Sequence, residues 1–147
     1  MKELLMSEIP EMVYNSNAIE NSTLTLEETE ALLFLGAIKR DHEIREIYEA
    51  KNLAKVIEYL QEQQEKFSVG LILKLHKMLL TQINDAIAGR FRWGDERVRV
   101  GNHLGANPAF VSGLMYELVD QYHNDKKTYF LDKIAHFHAE FETIHPF

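Results

Sequence analysis

The chain has 147 residues, of which 46% are hydrophobic and 27% charged, and its formal net charge is −7. This is enough for one core-forming domain, and the acidic balance argues against non-specific nucleic-acid binding, which needs clustered Lys and Arg. The absence of cysteine excludes a disulfide framework, a zinc-thiolate site and a thiol nucleophile.

No apolar run approaches the roughly 20 residues that cross a bilayer. The start, Met1 to Met6, turns acidic too quickly for a signal peptide, so a cytoplasmic location is the default expectation. Pro10 to Glu20 reads as a short polar segment, with Asn21 able to close a helix in the left-handed conformation. Thr25 and Glu28 have the spacing of a capping box. They predict a helix that opens at Leu26, buries Leu26, Leu33, Phe34, Ala37 and Ile38, and ends near Arg40. A longer helix is expected from about His42 to Glu65, with Ile44, Ile47, Tyr48, Ile57 and Leu60 on its apolar side. The polar run Gln61 to Lys66 is its solvated end. Ser68 is placed to cap a third helix bearing Leu71, Ile72, Leu75, Met78 and Leu79.

The period then changes from helical to alternating. Arg90-Phe91-Arg92-Trp93, Gly94-Asp95-Glu96 and Arg97-Val98-Arg99-Val100 read as strand, turn and strand, followed by a loop from Gly101 to Asn107. An isolated hairpin is marginal unless something packs on it or pairs with it. Asn107-Pro108 supplies a cap and a first-turn proline for a helix with Val111, Leu114, Met115, Leu118, Val119 and Tyr122 inward. After a polar break at Asn124 to Lys127, the last helix carries the stripe Ile134, Phe137, His138, Phe141 and His145. Pro146 disfavours helical geometry in the residue before it, so the helix should end at or near His145. The expected class is all-α with one short hairpin.

A histidine at the lip of a helix can serve as a general base, because imidazole titrates near neutral pH. His136 and His138 form a His-x-His pair, but positions two apart on a helix point about 200° apart and cannot share an ion. No metal site is assigned. P-loop, G-x-G-x-x-G, H-E-x-x-H and G-x-S-x-G motifs are absent.

Three local features together resemble one family. The ending His138, Phe141 and Ile144-His145-Pro146-Phe147 is similar to the approach to the active-site motif of the Fic (Fic/Doc, Fido-domain) family. That motif begins His-Pro-Phe and continues through an acidic residue and Gly-Asn-Gly-Arg to a second arginine. Ser16-Asn17-Ala18-Ile19-Glu20-Asn21 resembles the family's inhibitory motif, Ser/Thr-x-x-x-Glu-Gly/Asn, in the subclass whose inhibitory helix precedes the core. Gly89 to Arg92, Val98 to Gly101 and Pro108 to Met115 look like the target-docking flap and the helix after it.

The resemblance implies a helical Fic-like domain over 25–147, incomplete at its C-terminal end, preceded by an inhibitory-helix segment over 1–24. It implies transfer of AMP from ATP to a Ser, Thr or Tyr hydroxyl of a target protein, with His145 as the base. Pro146, Phe147 and His138 would support the motif, His138 as a satisfied core histidine. Glu20, helped by Ser16 and capped by Asn21, would compete with productive nucleotide placement. Arg92, Trp93, Val98, Arg99 and Val100 would form the flap. Without the resemblance, His145 reads as a helix-end cap, Glu20 as a surface glutamate and the hairpin as a shield for a core edge.

ATP and Mg²⁺ are the implied cofactors, but the acidic residue that holds the metal follows His-Pro-Phe and is absent from these 147 residues. The chain as given is therefore expected to be weak or inactive. The expected partners are ATP and a target protein, without nucleic acid or membrane, and a homodimer is left open. The alternative from another class is a non-enzymatic helical module, a Fic relic whose flap still binds a partner.

Overall fold

Three of the described helices begin where a side-chain oxygen caps them. The computed structural model describes residues 2–38, 40–62 and 64–147, with side chains from Ser7 onward in the first helix. The polar run Gln61 to Lys66 is thus seen except at Gln63, which lies outside the described residues. The elements are α1 (Lys2–Ile19), α2 (Leu26–Glu30), a π-helical turn (Ala31–Leu35), α3 (Ile44–Glu62), α4 (Val69–Leu80), β1 (Arg99–Val100), β2 (His103–Leu104), α5 (Pro108–Asn124) and α6 (Phe130–Ile144).

Three expected caps are in place. Thr25 Oγ1 accepts from the Glu28 N–H at 3.3 Å while Glu28 Oε2 accepts from the Thr25 N–H at 3.0 Å, a complete capping box. Ser68 Oγ accepts from the Leu71 N–H at 3.1 Å, and Asn107 Oδ1 from the Ala109 N–H at 3.1 Å. Each side-chain oxygen satisfies a donor that the first helical turn leaves unpaired.

The chain forms two compact units, Met1–Glu65 with Lys74–Gly89, and Lys66–Leu73 with Arg90–Phe147. In the first, Ile9, Val13, Leu24, Leu32, Ala50 and Ala54 make the core. Ala50 and Ala54 lie four apart on α3, and their small side chains leave room for α1 to pack closely. The segment Pro10 to Glu20 is not a separate polar piece but the second half of α1, which runs through Pro10. A mid-helix proline loses a hydrogen bond and crowds the preceding turn. Here, burial of Ile9, Pro10 and Val13 offsets that cost.

Two other apolar faces differ from expectation. The π turn after Glu30 holds an extra residue in its hydrogen-bonded ring, which rotates later side chains off the 3.6-residue stripe. Leu32 is therefore buried, while Phe34 and Ile38 are exposed, and Gly36 (φ 65°) ends the helix before Arg40. On α3, Ile44 and Leu60 are exposed, and the inward face runs through Ile47, Ala50, Leu53, Ala54 and Ile57.

In the second unit Val69, Ile72, Val111, Met115, Leu118, Val119 and Ile144 are buried together, with Phe67, Phe91, Phe137, Phe141 and Phe147 packed against them. The inward face of α5 is the expected one. On α6 the stripe is narrower: Ile134 is exposed, and His138 is exposed rather than a core histidine. Aromatic packing sets this face. Phe137 lies 5.1 Å from Phe67 and 5.6 Å from Tyr122, both edge-on, so the phenyl ring takes the interior.

The hairpin exists in a different register. β1 pairs antiparallel with β2, Arg99 opposite Leu104 and Val100 opposite His103, turning at Gly101 (φ 58°). Arg90 to Trp93 is not a strand. Its main chain and the Arg92 side chain bond to the end of α6 instead, and part of the expected Gly101–Asn107 loop supplies the second strand.

Candidate active site

α6 stops because Pro146 cannot extend it. The His145 N–H still reaches Phe141 O at 2.8 Å, but His145 itself adopts φ 49° and ψ 71°, the left-handed region. Only a few per cent of non-glycine residues go there, Asn, Asp and His more often than the rest. The terminal carbonyls of α6 lack helical partners, and Pro146 has no N–H to offer.

Residues far away in sequence supply the donors. Arg92 Nε donates to His145 O at 2.6 Å, and Nη2 donates to Ile144 O at 3.1 Å and Ala106 O at 2.9 Å. Nη1 donates to Glu96 O at 2.7 Å. The Arg92 N–H reaches Pro146 O at 3.0 Å, and the Ala106 N–H reaches Ile144 O at 3.0 Å. His103 Nε2, on β2, lies 2.9 Å from Thr143 O. Gly105 completes the enclosure, since a Cβ there would lie 3.0 Å from His145 Cβ and 3.2 Å from Arg92 Nη2. Phe147 stacks on Phe91 at 5.6 Å and packs beside Phe141 at 6.2 Å. His145 as a residue is half-buried.

Arg92 is only 6% exposed. Burial pushes its pKa down from the usual arginine value, opposed by the Glu96 charge, and the guanidinium remains a cation. Glu96 is held by Arg90 through two 2.7 Å contacts and by the Trp93 N–H at 2.9 Å. These contacts, the Arg90 pair first, push its carboxyl down to about 2. They tie off the turn that delivers Arg92.

Of the expected flap residues, Trp93, Arg99 and Val100 are exposed and Val98 is half-buried, whereas Arg92 is inside. Arg92, expected among the flap residues, lies buried and donates to the carbonyls on either side of His145 Cα. Gly105, Ala106 and His103 were not singled out from the sequence. The Arg-aromatic alternation marks Arg90 and Arg92 alike and does not say which one turns inward.

At the end of α1, Asn21 has φ 65°. The Ser22 N–H reaches Asn17 O and the Asn21 N–H reaches Ala18 O, both at 3.1 Å, which is the Schellman pattern. Ser16 and Glu20 are exposed on this last turn and line a groove of about 870 Å³ together with Thr23, Glu46, Leu53 and Leu79. A clasp anchors the chain just after it. Glu46 accepts from the Thr23 N–H at 2.5 Å and from Thr23 Oγ1 at 2.9 Å, and Thr23 Oγ1 also lies 2.9 Å from His42 Nδ1. Burial raises the Glu46 pKa, but the hydrogen bonds from Thr23 and from the Glu43 main chain, with His42 nearby, together leave the carboxyl below its usual value. Glu20 belongs to the first unit and His145 to the second.

Among the described residues, no three His, Cys, Asp or Glu side chains converge to hold a metal ion. No described helix is long and apolar enough to cross a membrane. An imidazole on a pinned backbone can take a proton from a hydroxyl brought within hydrogen-bond reach.

Residues 66–147 match the model of the Fic/DOC family. The chain is 30% identical over 143 residues to the protein adenylyltransferase fic-1 of Caenorhabditis elegans, an alignment covering 92% of this chain and 28% of that protein. A Fic family protein from Desulfovibrio desulfuricans superposes with a TM-score of 0.82 at 30% identity, covering all of this chain and 45% of that one. The structure of Fic-1 from C. elegans superposes with a TM-score of 0.83 at 25% identity, covering all of this chain and 44% of that one. The chain therefore spans a little over a quarter of the length of the fic-1 protein it matches.

Proposed function

Because the chain belongs to the Fic/DOC family, we propose that the protein transfers AMP from ATP to a hydroxyl side chain of a target protein. In that reaction the hydroxyl oxygen bonds to the α-phosphorus, the bond to the bridging oxygen breaks, and pyrophosphate leaves. His145 takes the hydroxyl proton on its imidazole. The observation that supports this most is the coincidence of the family match with geometry: the matched residues include His145-Pro146-Phe147, and that histidine sits pinned at a helix lip.

The hairpin orients the target. It has two strands, so each has an unpaired outer edge, and an extended target segment can add there by backbone hydrogen bonds. Trp93, Arg99 and Val100 are exposed to meet its side chains. Glu20 holds the enzyme back by pairing with the second arginine of the family motif, a residue outside the 147 considered. The groups that clamp the phosphates and hold Mg²⁺ in the family follow His-Pro-Phe in that motif and are likewise outside. A polypeptide limited to residues 1–147 then has base and flap without clamp, and trace transfer at most is expected.

The test uses the whole gene product and ATP labelled on either the α- or the γ-phosphate. Label from the α-position should appear on protein hydroxyls, and label from the γ-position should not. Glu20→Gly should raise incorporation by roughly 5–150-fold, the range of a coupling of 1–3 kcal/mol. Transfer of the γ-label, or no α-label even with Glu20→Gly, would reject the reading.

A further inference from the structure

We propose that Arg92 is a positioning residue for His145, setting the backbone from which the imidazole projects; this rests on reading His145 as the base. The argument is geometric. The peptide carbonyl before His145 Cα is that of Ile144, and the one after it is His145's own. Arg92 donates to both, Nη2 to Ile144 O at 3.1 Å and Nε to His145 O at 2.6 Å. One planar guanidinium thus fixes both peptide planes around a single Cα, and so φ and ψ together. Its other donors go to Ala106 O and Glu96 O, which hold the guanidinium itself in place.

Among the described residues, Arg92 is the side chain seen to bond both carbonyls. Ala106 N–H bonds Ile144 O alone, and Pro146 removes the donor that would otherwise follow His145. Positive φ is uncommon for any residue but glycine, so without its restraints the residue can relax to extended geometry and carry the imidazole away. Gly105 is the matching wall, since its missing Cβ leaves the space that His145 Cβ occupies. Lysine cannot replace Arg92 in this role. An ammonium keeps the charge but lacks the rigid fork that spans two carbonyls.

The test uses Arg92→Lys in the whole gene product. The ¹³Cα and ¹³Cβ shifts of His145, which report its backbone region, should leave their left-handed values while the methyl signals of Val111, Met115 and Leu118 stay in place. Transfer should lose about 100-fold in kcat, the scale of a small misplacement of a reacting group, with KM for ATP within about twofold. Gly105→Ala approaches the same point by crowding His145 Cβ directly, and should give the same pair of changes if Arg92→Lys fails to fold. Unchanged His145 shifts in a folded variant, or a fall in melting temperature with kcat intact, would overturn the proposal. If His145→Ala leaves transfer unchanged, the functional reading fails while the chemical shifts still judge the positioning.

Discussion

α1 and α6 each run into a left-handed residue that is not glycine, Asn21 at φ 65° and His145 at φ 49°, and the two are held by opposite means. Asn21 tolerates that region, and its turn is closed by bonds within six residues, Ser22 to Asn17 and Asn21 to Ala18. His145 lacks such a local closure, and its turn is held by Arg92, 52 and 53 residues from its two acceptors there, and by Ala106. The first is a local turn that any exposed helix end could use. The second stores backbone strain where a side chain has to be aimed.

The comparison can be broken most directly by removing the distant support. Arg92→Met leaves four carbonyls, that of Ile144 buried and the others part-buried, without that donor and should destabilise the second unit by about 3–5 kcal/mol in urea denaturation, as for other buried charged hydrogen-bonding groups. A loss under about 1 kcal/mol would mean that the α6 end holds itself. Next in size, glycine should separate the two turns. His145→Gly relieves the left-handed cost and should raise stability by about 1 kcal/mol, as read by thermal melting. Asn21→Gly should stay within about 0.5 kcal/mol of zero, because asparagine already accepts the conformation.

These differences explain what could be read in advance. Thr25, Ser68 and Asn107 cap helices through atoms two or three residues away, so their spacing carries the information. The inward face of α5 and the stop at His145 follow from period and proline for the same reason. The hairpin register does not, because it depends on which of Arg90 and Arg92 finds carbonyls at the far end of the chain. Nor does the outward turn of Phe34, which a π-helical turn produces, or the exposure of His138, which yields the interior to phenylalanines. Within the site, the family resemblance drew attention to His145 and Glu20, while the support around His145 emerged only from the assembled unit.

The smallest expected effect concerns the turn that delivers Arg92. Glu96 sits at about 2 against an ordinary 4.5, with Arg90 the main cause. Its folded-state pKa is depressed, so its contribution is complete above pH 4.5 and is lost as the pH falls toward 2. Glu96→Gln should flatten that limb of the melting-temperature profile without altering it at neutral pH by more than the small worth of a partly exposed pair.

The most direct test of the account is α-phosphate label transfer by the whole gene product carrying Glu20→Gly, compared with the same protein carrying Glu20→Gly and His145→Ala. The account expects label on protein to fall by about 10²–10⁴-fold when the imidazole is removed, the usual contribution of a general base. Equal incorporation by the two proteins would contradict it.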